Sequence, residues 1–542
     1  MVKAYLSLLL VLSAILTQGQ ASGYEYYYRI RCTDKGDRSA DEYQPSQLLS
    51  PRALERREKA GIKVPDYFDI PVFSEYTEAI TATGLTLHST SKWMNTALFK
   101  STAPANTEYL TNLTYVAELK LVKVPGRKDS HAGKLDFTTE NTYDFPYDRP
   151  VEMLNGYSLH NQGYNGEGIL IAVLDGGFYN SEKISSLYDL HNRYGIKATY
   201  NFVENNNLVY NSSTHGTAVL SVLAGNLPGI IEGTAQGADY LLLKTEDVRS
   251  EFPCEEDFWA AGAEFADSAG ADIITSSLGY STFDDPSFNY KYSDLDGKSA
   301  FVTRAAGIAA SKGIIVFNSA GNERNKTWKR IICPADGYGV IAVGAVDGNN
   351  LISDFSSAGP TFDQRIKPDN TAMGVSVPVQ TSATVTGRAN GTSFSCPILS
   401  GMTACLLQAA PEAISTDIIS VLKESAHRYY NPDSLYGYGI PDMGIALSKL
   451  QDKFMRVPDE ISVAGPNPTS GEFEIIFKEA PGSVTAEIFS AAGSLIWKTE
   501  SKSFSGRSMR IRELQTREQG LYIIRITTPK GTMVHKIIKI RN

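Results

Sequence analysis

The run Gly168-Ile169-Leu170-Ile171-Ala172-Val173-Leu174-Asp175-Gly176-Gly177 decides the fold. An unbroken aliphatic stretch of this length reads as a strand buried on both faces, as strands of a parallel sheet are. Asp175 closes it, at the carboxyl edge where open α/β sheets carry their sites. Further aliphatic strands are expected at Tyr240 to Lys244, Ile273 to Thr275, Ile314 to Phe317 and Val340 to Val343. They alternate with helical runs such as Phe258 to Ala269. That alternation predicts an α/β domain over residues 155–450, with a mostly parallel sheet and flanking helices. Gly163, Gly166 and Gly168 precede the first strand instead of following it, which excludes a dinucleotide-binding turn.

Two distant segments supply chemistry to match the aspartate. Ser393 lies in Asn390-Gly391-Thr392-Ser393-Phe394-Ser395-Cys396-Pro397, just before the helical run Ile398 to Ala409. A serine at a helix N-terminus sits among unpaired N–H groups that stabilise negative charge, which acyl transfer develops beside its nucleophile. A serine hydroxyl also needs a base. The chain has seven histidines, and only His215, in Thr214-His215-Gly216-Thr217, stands where a polar turn feeds an apolar helix. An aspartate at the end of a buried strand can fix such an imidazole's tautomer and stabilise its charged form.

The order Asp175, His215, Ser393 is the subtilisin order. The segments Asp175-Gly176-Gly177, His215-Gly216-Thr217 and Gly391-Thr392-Ser393-Phe394-Ser395-Cys396-Pro397 resemble the three signatures of the subtilase family. Ser319-Ala320-Gly321-Asn322 resembles a fourth, and the resemblance implies that Asn322 joins the Ser393 N–H as an oxyanion donor. The sequence departs from the family at Gly176, where Ser or Thr is usual, and at Phe394, where Met or Leu is usual. Neither change removes a reacting group. Ser276-Ser277-Leu278-Gly279 resembles the subtilase strand that pairs with substrate. On that basis Ser277, Leu278 and Gly279, with Ser319, Ala320 and Gly321, are the expected substrate contacts around a roomy pocket for the residue before the scissile bond. The resemblance implies a secreted serine endopeptidase acting through an acyl-enzyme on proteins or peptides. The alternative is a catalytically inactive subtilase-like surface protein that binds a partner.

The remainder of the chain fits export. Met1-Val2-Lys3, the apolar run Ala4 to Leu16 and Gly19-Gln20-Ala21 read as a signal peptide over residues 1–21. That run is short of the ~20 apolar residues of a membrane span, and no second stretch qualifies, so no transmembrane segment is expected. Residues 22–125 occupy the position of a subtilase prodomain, with a small α+β character, and 126–154 read as a polar, cleavable linker. From 458 to 542 short alternating strands predict a small β-sandwich. There Pro466-Asn467-Pro468, Gly520-Leu521-Tyr522 and Lys536-Ile537-Ile538-Lys539-Ile540 resemble the C-terminal sorting domain of type IX secretion cargo in Bacteroidetes. The resemblance implies export through the periplasm to the medium or cell surface, with the secretion machinery as partner.

With 51 basic and 60 acidic residues the net charge is −9, and no long basic run points to nucleic acid. The five cysteines have no C-x-x-C spacing, which leaves zinc without support. Cys254 with Cys333 is a candidate bridge, and Cys396 and Cys405 are expected to pack around the post-serine helix. No cofactor is expected. Calcium, common in the family, stays open: Asp294-Leu295-Asp296-Gly297 resembles only part of a calcium loop, and no ligand is assigned.

Overall fold

The computed structural model describes residues 25–126, 145–454, 461–464 and 466–541. The expected signal peptide and most of the linker lie outside them. The chain divides into two compact units, residues 1–447 and 448–542.

The first unit begins with a four-stranded antiparallel sheet in the order Thr86–Ser91, Thr96–Ser101, Tyr26–Cys32, Val116–Lys123. Strand periodicity gives it two buried faces. Tyr28, Ile30, Ala97 and Phe99 meet Ile80 and Leu85 in a core of their own. Tyr27, Leu98 and Val122 instead join a large cluster with Phe258, Trp259 and Ala263 of the helix Cys254–Ala269. Buried charge fastens this face. Arg29 reaches Asp257 at 2.6 Å and Glu256 at 3.3 Å, and its guanidinium lies over the Phe301 ring. Arg56 and Arg57, on the helix Pro51–Lys59, both pair with Asp267. The turn at Ser91–Trp93 docks on Glu264, which accepts from Ser91 Oγ and from the N–H groups of Lys92 and Trp93.

The centre is a seven-stranded parallel sheet, ordered Asn370–Met373, Val340–Val346, Ile315–Ser319, Ile273–Ser276, Leu170–Asp175, Asp239–Lys244, Ile196–Asn201. All the aliphatic strands expected from sequence are present. The two edge strands, Ile196–Asn201 and Asn370–Met373, are additions. Leu170, Ala172 and Leu174 belong to the cluster formed with Cys254–Ala269 and Phe301–Ser311. Alternation therefore turns Ile171, Val173 and Asp175 to the other face. There the helices His215–Ala224 and Thr392–Ala409 pack against each other and the sheet. This parity brings the three distant segments together.

Within the span expected as linker, Arg149–Met153 is helical, with Val151 and Leu154 fully buried. The expected Cys254–Cys333 bridge is not formed. All five thiols are buried and unpaired, and burial pushes both of these well above the ordinary range. Cys396 and Cys405 pack within the helix Thr392–Ala409 as expected.

The second unit is built of two antiparallel sheets. One holds Ile461–Ala464, Phe473–Phe477 and Ser508–Ile511; the other holds Leu495–Phe504, Gly482–Ser490, Gly520–Thr528 and Gly531–Lys539. Phe473, Ile475, Ile488, Ile524 and Ile537 are among the residues of one shared core. No helix among the described residues is long and apolar enough to cross a membrane.

Candidate active site

Asp175 ends its strand fully buried, and His215 opens its helix at 3% exposure. His215 Nδ1 lies 3.0 and 2.9 Å from the two carboxylate oxygens of Asp175. The aspartate accepts the Gly176 N–H at 2.7 Å, so its orientation is fixed before it meets the ring. Gly216 makes the approach feasible. A Cβ there would stand 2.4 Å from Gly177 O and 3.0 Å from Asp175 Cβ and Cγ. With Nδ1 committed to the carboxylate, Nε2 is the nitrogen on the opposite side of the imidazole. That ring packs 6.1 Å, centroid to centroid, from Phe394, the residue after Ser393. The larger side chain at 394 is fully buried, so the departure from Met or Leu serves as packing under the histidine.

Ser393 occupies the second position of the helix Thr392–Ala409. In a regular helix its carbonyl would accept from the N–H of residue 397. Pro397 has none. Ser277 Oγ donates to the Ser393 carbonyl instead, at 2.8 Å, while Ser393 Oγ donates to Ser277 O over a long 3.4 Å. The proline gap thus ties the nucleophile's backbone to the strand end at Ser276.

Asn322 Oδ1 accepts from Thr392 N at 2.9 Å and Thr392 Oγ1 at 3.0 Å. A backbone N–H can only donate, so Oδ1 must face Thr392 and Nδ2 must face away. Nδ2 then looks toward Gly391. A Cβ on residue 391 would stand 3.4 Å from Asn322 Nδ2 and 3.7 Å from Ser393 N. Two N–H donors therefore flank one small space beside the serine, kept open because Gly391 has φ +150° and no side chain. Thr392 also accepts the Gly321 N–H at 3.1 Å, so one threonine sets both the asparagine and its loop. Sequence reasoning did not single out Thr392, although it stands inside the quoted signature.

The six expected substrate contacts are less uniform. Ser277 has its hydroxyl engaged by Ser393, and the Leu278 carbonyl accepts from Asn318 Nδ2 at 2.9 Å. Ser319 and Ala320 are buried, with the Ala320 N–H on Val343 O and its carbonyl accepting from Ile332. Gly279 and Gly321 face each other across the side chain of Ile332. The pocket between these segments is therefore partly filled, contrary to the roomy one expected from the small residues. Asp294 and Asp296 spend their carboxylates on turns, accepting from Lys291 N and from Lys298 and Ser299 N, which supports no calcium site there. Glu246, Glu251 and Glu255 bring carboxylate oxygens within 4.8 Å of one another, and Glu255 also accepts the N–H groups of Asp247 and Phe252.

Comparison with known proteins agrees with this geometry. Residues 166–439 match the Subtilase family, 27–134 the Peptidase S8 propeptide domain of Bacteroidota, and 465–540 the Secretion system C-terminal sorting domain. The chain is 30% identical to Subtilisin E of Bacillus subtilis over 294 residues, 54% of this chain and 68% of that protein. It is 29% identical to Subtilisin of Bacillus pumilus over 294 residues, which cover 94% of that protein. It is 28% identical to Thermostable alkaline protease of Halalkalibacterium halodurans over 335 residues, 61% of this chain and 80% of that protein. The sorting domain marks an exported protein, secreted or held at the cell surface. A parallel sheet carrying this aspartate, histidine and serine, between a propeptide and a sorting domain, makes the chain a member of the subtilase family of serine endopeptidases.

Proposed function

We propose that Ser393, His215 and Asp175 form a catalytic triad that hydrolyses peptide bonds in protein or peptide substrates through an acyl-enzyme. Ser393 Oγ attacks the carbonyl carbon and its proton passes to His215 Nε2. The imidazolium so formed is held by Asp175 and then protonates the leaving amine. Water repeats the sequence on the ester, which returns the serine and frees the acid. The developing oxyanion is received by the Ser393 N–H and Asn322 Nδ2. The observation that carries this reading is the Asp175–His215 pair at 2.9 Å, in one layer with two donors converging beside Gly391.

The N-terminal domain acts as a zymogen segment and is removed between Val124 and Pro150. Its buried arginines on the helix Cys254–Ala269 support a docked role before that cut. The C-terminal domain engages the secretion machinery. Mass spectrometry of the purified active enzyme tests the maturation step. The expected species begins after Val124, and a fully active chain that retains its N-terminal domain would contradict it.

A further inference from the structure

The side chain of Ile332 occupies the gap that a substrate residue would enter. The segment Ile332-Cys333 crosses between the two walls of that gap. Ile332 N–H donates to Ala320 O at 3.2 Å on one side, and Cys333 exchanges hydrogen bonds of 2.8 and 3.0 Å with Tyr280 on the other. This places the isoleucine against both glycines. A Cβ at Gly279 would be 2.4 and 2.5 Å from Ile332 Cδ1 and Cγ1, and a Cβ at Gly321 would be 3.1 Å from each. Gly279 lies two residues from Ser277, whose carbonyl meets Ser393 Oγ, and Gly321 immediately precedes Asn322. The gap therefore opens directly beside the reacting atoms, and the side chain on the acyl side of the scissile bond must point into it. Its walls are backbone, glycine and one branched aliphatic chain, with the buried Ser357 hydroxyl 2.9 Å from a Cβ at Gly321. No charged side chain is among these contacts.

We propose that Ile332 sets substrate preference, restricting the residue on the acyl side of the cleaved bond to small, uncharged side chains such as glycine, alanine or serine. Interiors packed at this density do not admit extra carbons without displacement. In an apolar pocket each methylene that fits or fails to fit changes kcat/KM by ~10–200-fold. The inference rests on the proposed triad reaction.

The test uses processed enzyme and a series of peptide anilides differing only in that residue, with active sites counted by fluorophosphonate labelling. Native enzyme is expected to cleave the alanine peptide at least ~10-fold faster than the phenylalanine peptide. Ile332→Gly, which removes four carbons, should raise kcat/KM for phenylalanine by ~10–200-fold and change alanine much less. Ile332→Val gives an intermediate profile if the glycine variant fails to fold. Native preference for phenylalanine, or a profile unmoved in an active Ile332→Gly enzyme, overturns the assignment while leaving the triad intact. Absence of labelling and of cleavage across the whole series overturns the triad and the preference together.

Discussion

At the residue scale, a few hydrogen bonds decide which atoms are available for chemistry. Thr392 takes Asn322 Oδ1 twice over, and this leaves Nδ2 as the donor toward Gly391. Asn322→Ala should keep the fold, because the residue removed is a half-buried loop side chain. It should lower kcat by ~10²–10³-fold, the cost of one lost oxyanion donor as measured in a subtilisin. Turnover equal to native would remove Asn322 from the mechanism. The triad residues were legible in sequence because each stands beside obligatory small residues, Gly176, Gly216 and Gly391, whose space is needed by a neighbour. Ile332 was not legible. Its importance comes from meeting Gly279 and Gly321, 53 and 11 positions away, and nothing in its own neighbourhood signals that contact. The Ser277 hydroxyl on the Ser393 carbonyl was also invisible, although Pro397 announced that the carbonyl would need a partner.

At the scale of elements, the central strands declared themselves by continuous aliphatic runs. The edge strands Ile196–Asn201 and Asn370–Met373 did not. Their sequences, IKATYN and NTAM, mix polar and apolar residues because a strand at the rim is covered on fewer sides. The antiparallel N-terminal sheet presents the converse case. Its Arg29 reads as an exposed strand residue, yet it is 7% exposed and paired with Asp257 and Glu256. Burial raises the pKa of both carboxyls, with Arg29 opposing the rise. Removing one partner of such a pair strands the other in a low-dielectric site, at a cost of ~3–5 kcal/mol. Arg29→Ala, made in a Ser393→Ala chain that cannot process itself, should therefore destabilise the docked N-terminal domain by that amount. Urea unfolding of the two chains checks it, and coincident transitions would show that the pair contributes nothing to docking. The cysteine pairing was misjudged at this scale: Cys254 and Cys333 are separately buried in the same core, which a thiol enters as a small apolar group.

For the whole molecule, the chain reads as an ordered set of parts: an N-terminal domain that covers the helix Cys254–Ala269, an α/β peptidase, and a sandwich with its own core. Sequence alone revealed this division through changes of pattern, from aliphatic runs to short alternating strands near residue 458. It could not reveal how much of the N-terminal domain's surface is committed to the peptidase, because that depends on which side of each strand faces outward. The central claim is that Ser393 is an activated nucleophile within an assembled triad. Labelling of the processed protein with a fluorophosphonate, followed by peptide mapping, tests it most directly. The expected result is a single adduct on Ser393, lost in His215→Ala; an unlabelled serine in native enzyme, or equal labelling in the histidine variant, would contradict it.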